Sequence, residues 1–100
     1  MIRGTTPTHT FTLPFGVETV AKVRILYAQH DEVLVTKTEE DCTMTGQTIQ
    51  VRLTQEETLA LDSSTVVAIQ LRVLTTGGEA LASDIMRVLP GDCLENEVMA

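Results

Sequence analysis

Aromatic residues are nearly absent from this sequence: Phe11, Phe15 and Tyr27 are the only three, and there is no tryptophan. Any core must therefore be built from Val, Ile, Leu, Met and Ala, and stacking platforms for bases or sugar rings are not expected. Basic residues are also scarce. Seven Lys and Arg face fourteen Asp and Glu, leaving a formal charge of −7. Such a chain repels a phosphate backbone, whose neutralisation by cationic side chains supplies most non-specific nucleic-acid affinity, so no nucleic-acid partner is expected. Two cysteines, Cys42 and Cys93, are too few and too far apart for a disulfide framework or a zinc motif. They read either as two unpaired thiols or as one disulfide. No apolar run is long enough to cross a bilayer, and the opening MIRGTTPTHT lacks the apolar stretch of a secretory signal. No membrane contact is expected, and the chain is expected to start and fold in a cytoplasm.

What is present is an ordinary balance for a folded domain, 43% hydrophobic and 21% charged. A chain of 100 residues makes one domain, able to bury roughly two-thirds of the surface its unfolded form exposes but too small to add a deep catalytic cleft. The core is expected over residues 8–90, with residues 1–6 and the acidic end GDCLENEVMA, 91–100, flexible or ordered only by a neighbour.

The dominant pattern has a period of two. The stretch TPTHTFTLPF points Thr8, Thr10 and Thr12 one way and His9, Phe11, Leu13 and Phe15 the other. VAKVRILYAQ alternates again, the polar HDE at 30–32 forms a turn, and VLVTKT resumes, so residues 20–38 read as a hairpin. EEDC breaks the run. TIQVRLT at 48–54 sets Ile49, Val51 and Leu53 inward, after a turn glycine in TGQ. TQEETLAL conflicts locally with its neighbours: Thr54 followed by Glu57 has the form of a capping box, and about one helical turn near residues 54–58 resolves the conflict. VVAIQLRVLT at 66–75 sets Val67, Ile69, Leu71 and Val73 on one face, and TTGGE turns it into ALASDIMRVL as a final hairpin. About seven short strands with regular turn signals predict an all-β, immunoglobulin-like antiparallel β-sandwich, with a small barrel as the alternative.

His30 lies in the HDE turn and reads as a solvated turn residue; His9 lies on the apolar side of the first strand and reads as a packed rung of it. The acidic TEEDC at 38–42 lacks the spaced Asp/Asn pattern with interposed glycine of a calcium loop. TTGGE precedes a strand, whereas a phosphate-binding loop precedes a helix. Lys22, Arg24, Arg52, Arg72 and Arg87 lie on different strands among many acids and are expected to form cross-strand ion pairs. No catalytic, cofactor-binding or metal-binding residue is assigned, no cofactor is expected, and the reading is non-enzymatic.

A threonine-rich strand bracketed by Pro7 and Pro14 suits a sheet edge that is limited in length but free to pair. RGTTPTHTFTLPF, KVRILYAQ, TIQVRLTQEETLAL and VAIQLRVLTTGGEALASDIMRV, in that order, resemble a group of small structural proteins of tailed phages and prophages of Gram-positive bacteria. Over residues 8 to 90 the succession also resembles the immunoglobulin-like N-terminal domain of phage baseplate upper proteins, although nothing corresponding to their receptor-binding region follows. The resemblance implies a virion or assembly component, assembled in the bacterial cytoplasm, that contacts copies of itself or tail and baseplate proteins. It brings no catalytic residues. A free-standing binding module, or a small cytoplasmic regulator or inhibitor encoded in a prophage, is the alternative.

Overall fold

Each period-two segment becomes a strand in the computed structural model, which describes all 100 residues. Eight strands form: β1 Thr8–Thr12, β2 Val20–Gln29, β3 Glu32–Thr38, β4 Cys42–Thr45, β5 Thr48–Arg52, β6 Val67–Thr75, β7 Ala80–Ala82 and β8 Met86–Val88. A single helical turn, α1 Gln55–Leu59, joins β5 to β6. One antiparallel sheet has the order β1-β5-β4; the other has β3-β2-β6-β7, with β8 also pairing β6. The two pack face to face as a β-sandwich. Chain order and pairing match an immunoglobulin plan whose first strand is missing: β1-β5-β4 take the places of strands B-E-D, and β3-β2-β6-β7 those of C′-C-F-G.

The core lies where the inward phases of the two sheets meet. Val23, Ile25 and Tyr27 of β2 face Ile49 and Val51 of β5, and Val67, Ile69, Leu71 and Val73 of β6 continue the layer. Leu53 and Leu61 close it beside α1. The capping box read from the sequence is formed: Thr54 Oγ1 accepts from Glu57 N at 3.1 Å, and Glu57 Oε1 accepts from Thr54 N at 2.8 Å. The same Glu57 oxygen meets Lys37 Nζ of β3 at 2.7 Å, with Lys37 buried. Burial raises the Glu57 carboxyl, but the bonds from Lys37 and Thr54 outweigh it and hold the group below the ordinary range.

Three details differ from the sequence reading. First, CTMT after the EEDC break is itself a strand, β4, which pairs β5 through the two-residue turn Gly46-Gln47. Gly46 has φ +61°, the conformation demanded of the first central residue in a II′ hairpin. Second, ALASDIMRVL is two strands. Ser83 Oγ accepts the Leu71 N–H at 3.0 Å in place of a backbone carbonyl, so the ladder with β6 breaks between β7 and β8. Third, the two ends of the chain meet. Ile2 bridges Gly91, and Arg3 donates to Asp92, to the Leu59 carbonyl and to Asn96 at 2.9–3.0 Å. Thr58, fully buried, donates to the Thr5 carbonyl and accepts from Gly4 N, which ties this clasp to α1.

The β2–β3 hairpin carries local strain. Its turn residues His30 and Asp31 have φ of 51° and 60°, the left-handed region that a I′ turn requires and that disfavours any residue with a Cβ. Asp31→Gly is expected to stabilise the protein by about 1 kcal/mol, raising the melting temperature by roughly 5 °C in a circular-dichroism melt. Ile69→Asp places an unpaired carboxylate between the sheets and is expected to cost at least about 4 kcal/mol. A cooperative melt near that of the wild type would show Ile69 to be outside the core.

Candidate functional site

Every antiparallel ladder alternates residues bonded to the neighbour with residues whose backbone groups point away. On β1 the phase is fixed by two bonds, Leu53 N to the Pro7 carbonyl at 3.0 Å and Leu13 N to the Gln47 carbonyl at 2.7 Å. The odd-numbered residues therefore face β5, in register His9↔Val51 and Phe11↔Ile49. Thr8, Thr10 and Thr12 turn their N–H and C=O groups out of the sheet, and their side chains are exposed. β1 is a sheet edge with no strand beyond it.

Beside that edge the sandwich is open. A cleft of about 510 Å³ runs between β1 and the β6–β7 side of the other sheet, its floor made by Phe11, Leu13, Leu71, Val73, Leu81 and Met86. Register explains the lining. Val73 pairs Leu81 and Ile69 pairs Met86, so Leu81 and Met86 sit on the core-facing side of β7 and β8. They are nonetheless 36% and 41% exposed, because no strand of the three-stranded sheet lies above them. None of the twelve residues lining the cleft is charged.

His9 is a rung of β1, as its phase required, and it carries a specific contact. Its Nδ1 and the Tyr27 hydroxyl share a hydrogen bond at 2.7 Å across the two sheets, with the rings 5.7 Å apart. Burial, with the positive N-terminus, lowers the His9 pKa from its ordinary 6.5, and burial raises that of the Tyr27 phenol. Both groups are thus neutral at pH 7. The pairing is a structural bond that satisfies the one hydroxyl in the fully buried aromatic centre of the core.

The other sequence candidates do not converge on this cleft. His30 is exposed in its turn and reaches Thr65 Oγ1 at 3.1 Å. In the 38–42 cluster, Asp41 Oδ2 accepts from Thr38 N at 2.9 Å and so caps a short turn of 3₁₀ helix, Glu39–Asp41. TTGGE is the β6–β7 hairpin, with Gly78 at φ +84°. Cys42 and Cys93 are both free; the Cys42 thiol donates to the Thr38 carbonyl, and burial, aided by the neighbouring Asp41 and Glu39, raises its pKa. No three His, Cys, Asp or Glu side chains gather as a metal cage would require.

The expected cross-strand ion pairs of Lys22, Arg24, Arg52, Arg72 and Arg87 are not formed. Arg24 and Arg72 stand directly opposite one another on the outer face, and Arg52 donates to Thr6 Oγ1. Apart from Glu32 at the start of β3, the acids they were expected to meet lie in turns, in α1 and at the chain end, outside the ladders. The two ion pairs of the molecule are instead Lys37–Glu57 and Arg3–Asp92. Comparison with protein families, with curated proteins and with solved structures finds no match to this chain.

Two outcomes follow for His9. His9→Ala leaves the Tyr27 hydroxyl buried without a partner and is expected to cost about 1–3 kcal/mol in denaturant unfolding. The sign of its pH dependence is fixed by the lowered pKa: between the folded value and 6.5 the unfolded chain binds more protons, so stability is full above pH 6.5 and declines as pH falls through the folded value. Urea titrations at pH 7.5 and 5.0 are expected to show this decline in the wild type and a smaller one in His9→Phe.

Proposed function

We propose that this chain is a non-catalytic assembly module that works by lending an open sheet edge and its flanking apolar cleft to protein–protein contacts. The observation that carries this reading is the conjunction of the unpaired backbone groups of Thr8, Thr10 and Thr12 with the uncovered Leu81 and Met86 beside them. An edge strand without charge, bulge or cover is a template for another chain, and soluble proteins usually blunt such edges. An apolar surface left open next to it makes pairing there cooperative with burial.

The setting we propose is the tail or baseplate of a tailed phage or prophage particle, assembled in the bacterial cytoplasm, with copies of itself or other tail proteins as partners. The resemblance of RGTTPTHTFTLPF and the later strand segments to small phage structural proteins supports this setting, and the immunoglobulin-like strand order is compatible with it. The alternative is a free-standing binding module or a prophage-encoded regulator. A carbohydrate-binding version is disfavoured because Tyr27 is fully buried and Phe11 and Phe15 are half-buried.

Quantitative peptide mass spectrometry on particles purified after prophage induction tests the setting. The chain is expected at a fixed ratio to the major tail or capsid protein. Particles that form and infect without it would remove the virion role.

A further inference from the structure

The open side of the sandwich has the shape of a step. The β3-β2-β6-β7 sheet is four columns wide and the β1-β5-β4 sheet is three, so β7 and β8 project beyond β1 by one strand. We infer that this step is a half-lap joint for a second copy of the same chain, related by a two-fold axis parallel to the strands. This rests on the reading of the protein as an assembly module and names its partner and surface.

Four observations bear on the joint. Directions agree: His9 lies at the level of Tyr27, which pairs Ile69, while Phe11 and Leu13 line the cleft with Leu71 and Val73, so β1 runs parallel to β6. β7 is antiparallel to β6 and hence to β1, and a two-fold along the strands preserves direction. The projecting β7 of one copy therefore meets β1 of the other as an antiparallel neighbour. Phases agree as well. The Thr75–Glu79 and Ser83–Leu71 bonds turn Leu81 toward β6, so Ala80 and Ala82 present their backbone groups at the edge and their small side chains on the outer face. Thr10 and Thr12 do the same on β1, so edge meets edge with donors and acceptors free and side chains on matching faces.

Charge and area bear on the joint as well. Although each chain carries −7, the cleft-lining residues carry no charge, and the acid nearest the axis is Glu79, two residues before Leu81 in the same phase and outside the cleft. The accessible surface is 6212 Å², against about 5,600 Å² for a compact monomer of this mass. The excess, about 600 Å², is shared between the uncovered Leu81 and Met86 of the step and the exposed Leu89, Leu94 and Met99 toward the chain end. A second copy placed this way covers Leu81 and Met86 of both chains with each other and joins each three-stranded sheet to the partner's four-stranded one. The reverse arrangement, β1 against β1 about an axis normal to the sheet, is blocked because the two projecting β7 strands would occupy the same space.

Sedimentation and light scattering of the purified chain are expected to give twice 10.9 kDa at about 0.1 mM. Leu81→Asp sets two carboxylates face to face at the axis, and Thr12→Pro removes an edge N–H that no intrachain bond uses. Both are expected to return the mass to that of one chain with a folded-state melt intact. In a Cys42→Ser, Cys93→Ser background, mixing a Thr12→Cys chain with an Ala82→Cys chain is expected to give a disulfide dimer, while neither chain alone does. A wild type that remains a single chain at about 1 mM, or a dimer that survives both Leu81→Asp and Thr12→Pro, overturns the joint. Particle content separates the two readings: a monomer still present in particles at a fixed ratio overturns the joint and leaves the assembly role, whereas a dimer lost in Leu81→Asp but absent from particles supports the joint and removes the virion role.

Discussion

Unequal width of the two sheets is the constraint from which most of this structure follows. A sandwich is stable because each sheet hides its apolar face under the other, and a four-column sheet cannot be hidden under three. Burial is complete under the shared columns, where Ile25, Tyr27 and Ile49 are fully enclosed. It loosens to 5–6% exposure at Leu71 and Val73 of β6, then fails at Leu81 of β7. The apolar phase of the sequence continues past the point where the fold can use it. Nothing in the strand chemistry changes between Val73 and its neighbour Leu81; only the opposing strand is missing.

With few aromatics and a thin core, the crossings between sheets are held by buried polar side chains placed at the end of each connection. Gln29, buried at the end of β2, donates to the Asp62 and Thr65 carbonyls and accepts from Asp62 N at 2.8–2.9 Å, latching the α1–β6 connection. Lys37 of β3 does the same for the start of α1 through Glu57. Thr58 and Arg3 fasten the first residues of the chain. Gln29, Lys37 and Thr58 are each satisfied by more than one partner or by a charged one, the condition under which burying a polar group adds order without a large penalty, whereas the buried Arg3 Nε has no partner.

Period-two patterning made most strands and the core phases legible from residues alone, and the spacing of three made the Thr54–Glu57 cap legible, because each depends on neighbours a few positions apart. β4 was missed because four residues containing Cys and Met, wedged between an acidic turn and a glycine turn, carry too little alternation to register. The break between β7 and β8 was missed for a different reason: alternation continues through ALASDIMRVL, and the interruption comes from one serine hydroxyl taking a backbone's place. The Arg3 clasp joins residues 89 and 93 positions apart, a separation no local pattern encodes. Half of the candidate site, the threonine edge between two prolines, could be read in advance. The other half could not, since which strand lies across from β1 depends on how the sheets are assigned.

The two sides of the sandwich are treated differently, and this bears on how an open edge is tolerated. On the far side, β3 carries a bulge at Leu34, where Tyr27 pairs Val35 and Ala28 pairs Val33, and β4 is only four residues long behind Glu39, Glu40 and Asp41. Bulges, short strands and charge are the means by which edges are kept from recruiting other chains. On the near side β1 has neither bulge nor charge, although β7 and β8 are only three residues each. Pro7 and Pro14 limit the length of β1 but leave its middle unguarded. A chain open on both sides would grow without end, whereas one guarded side and one open, self-complementary side closes after a single step. In the proposed joint the guarded far edges belong to the same design as the open near one: they set where association would stop.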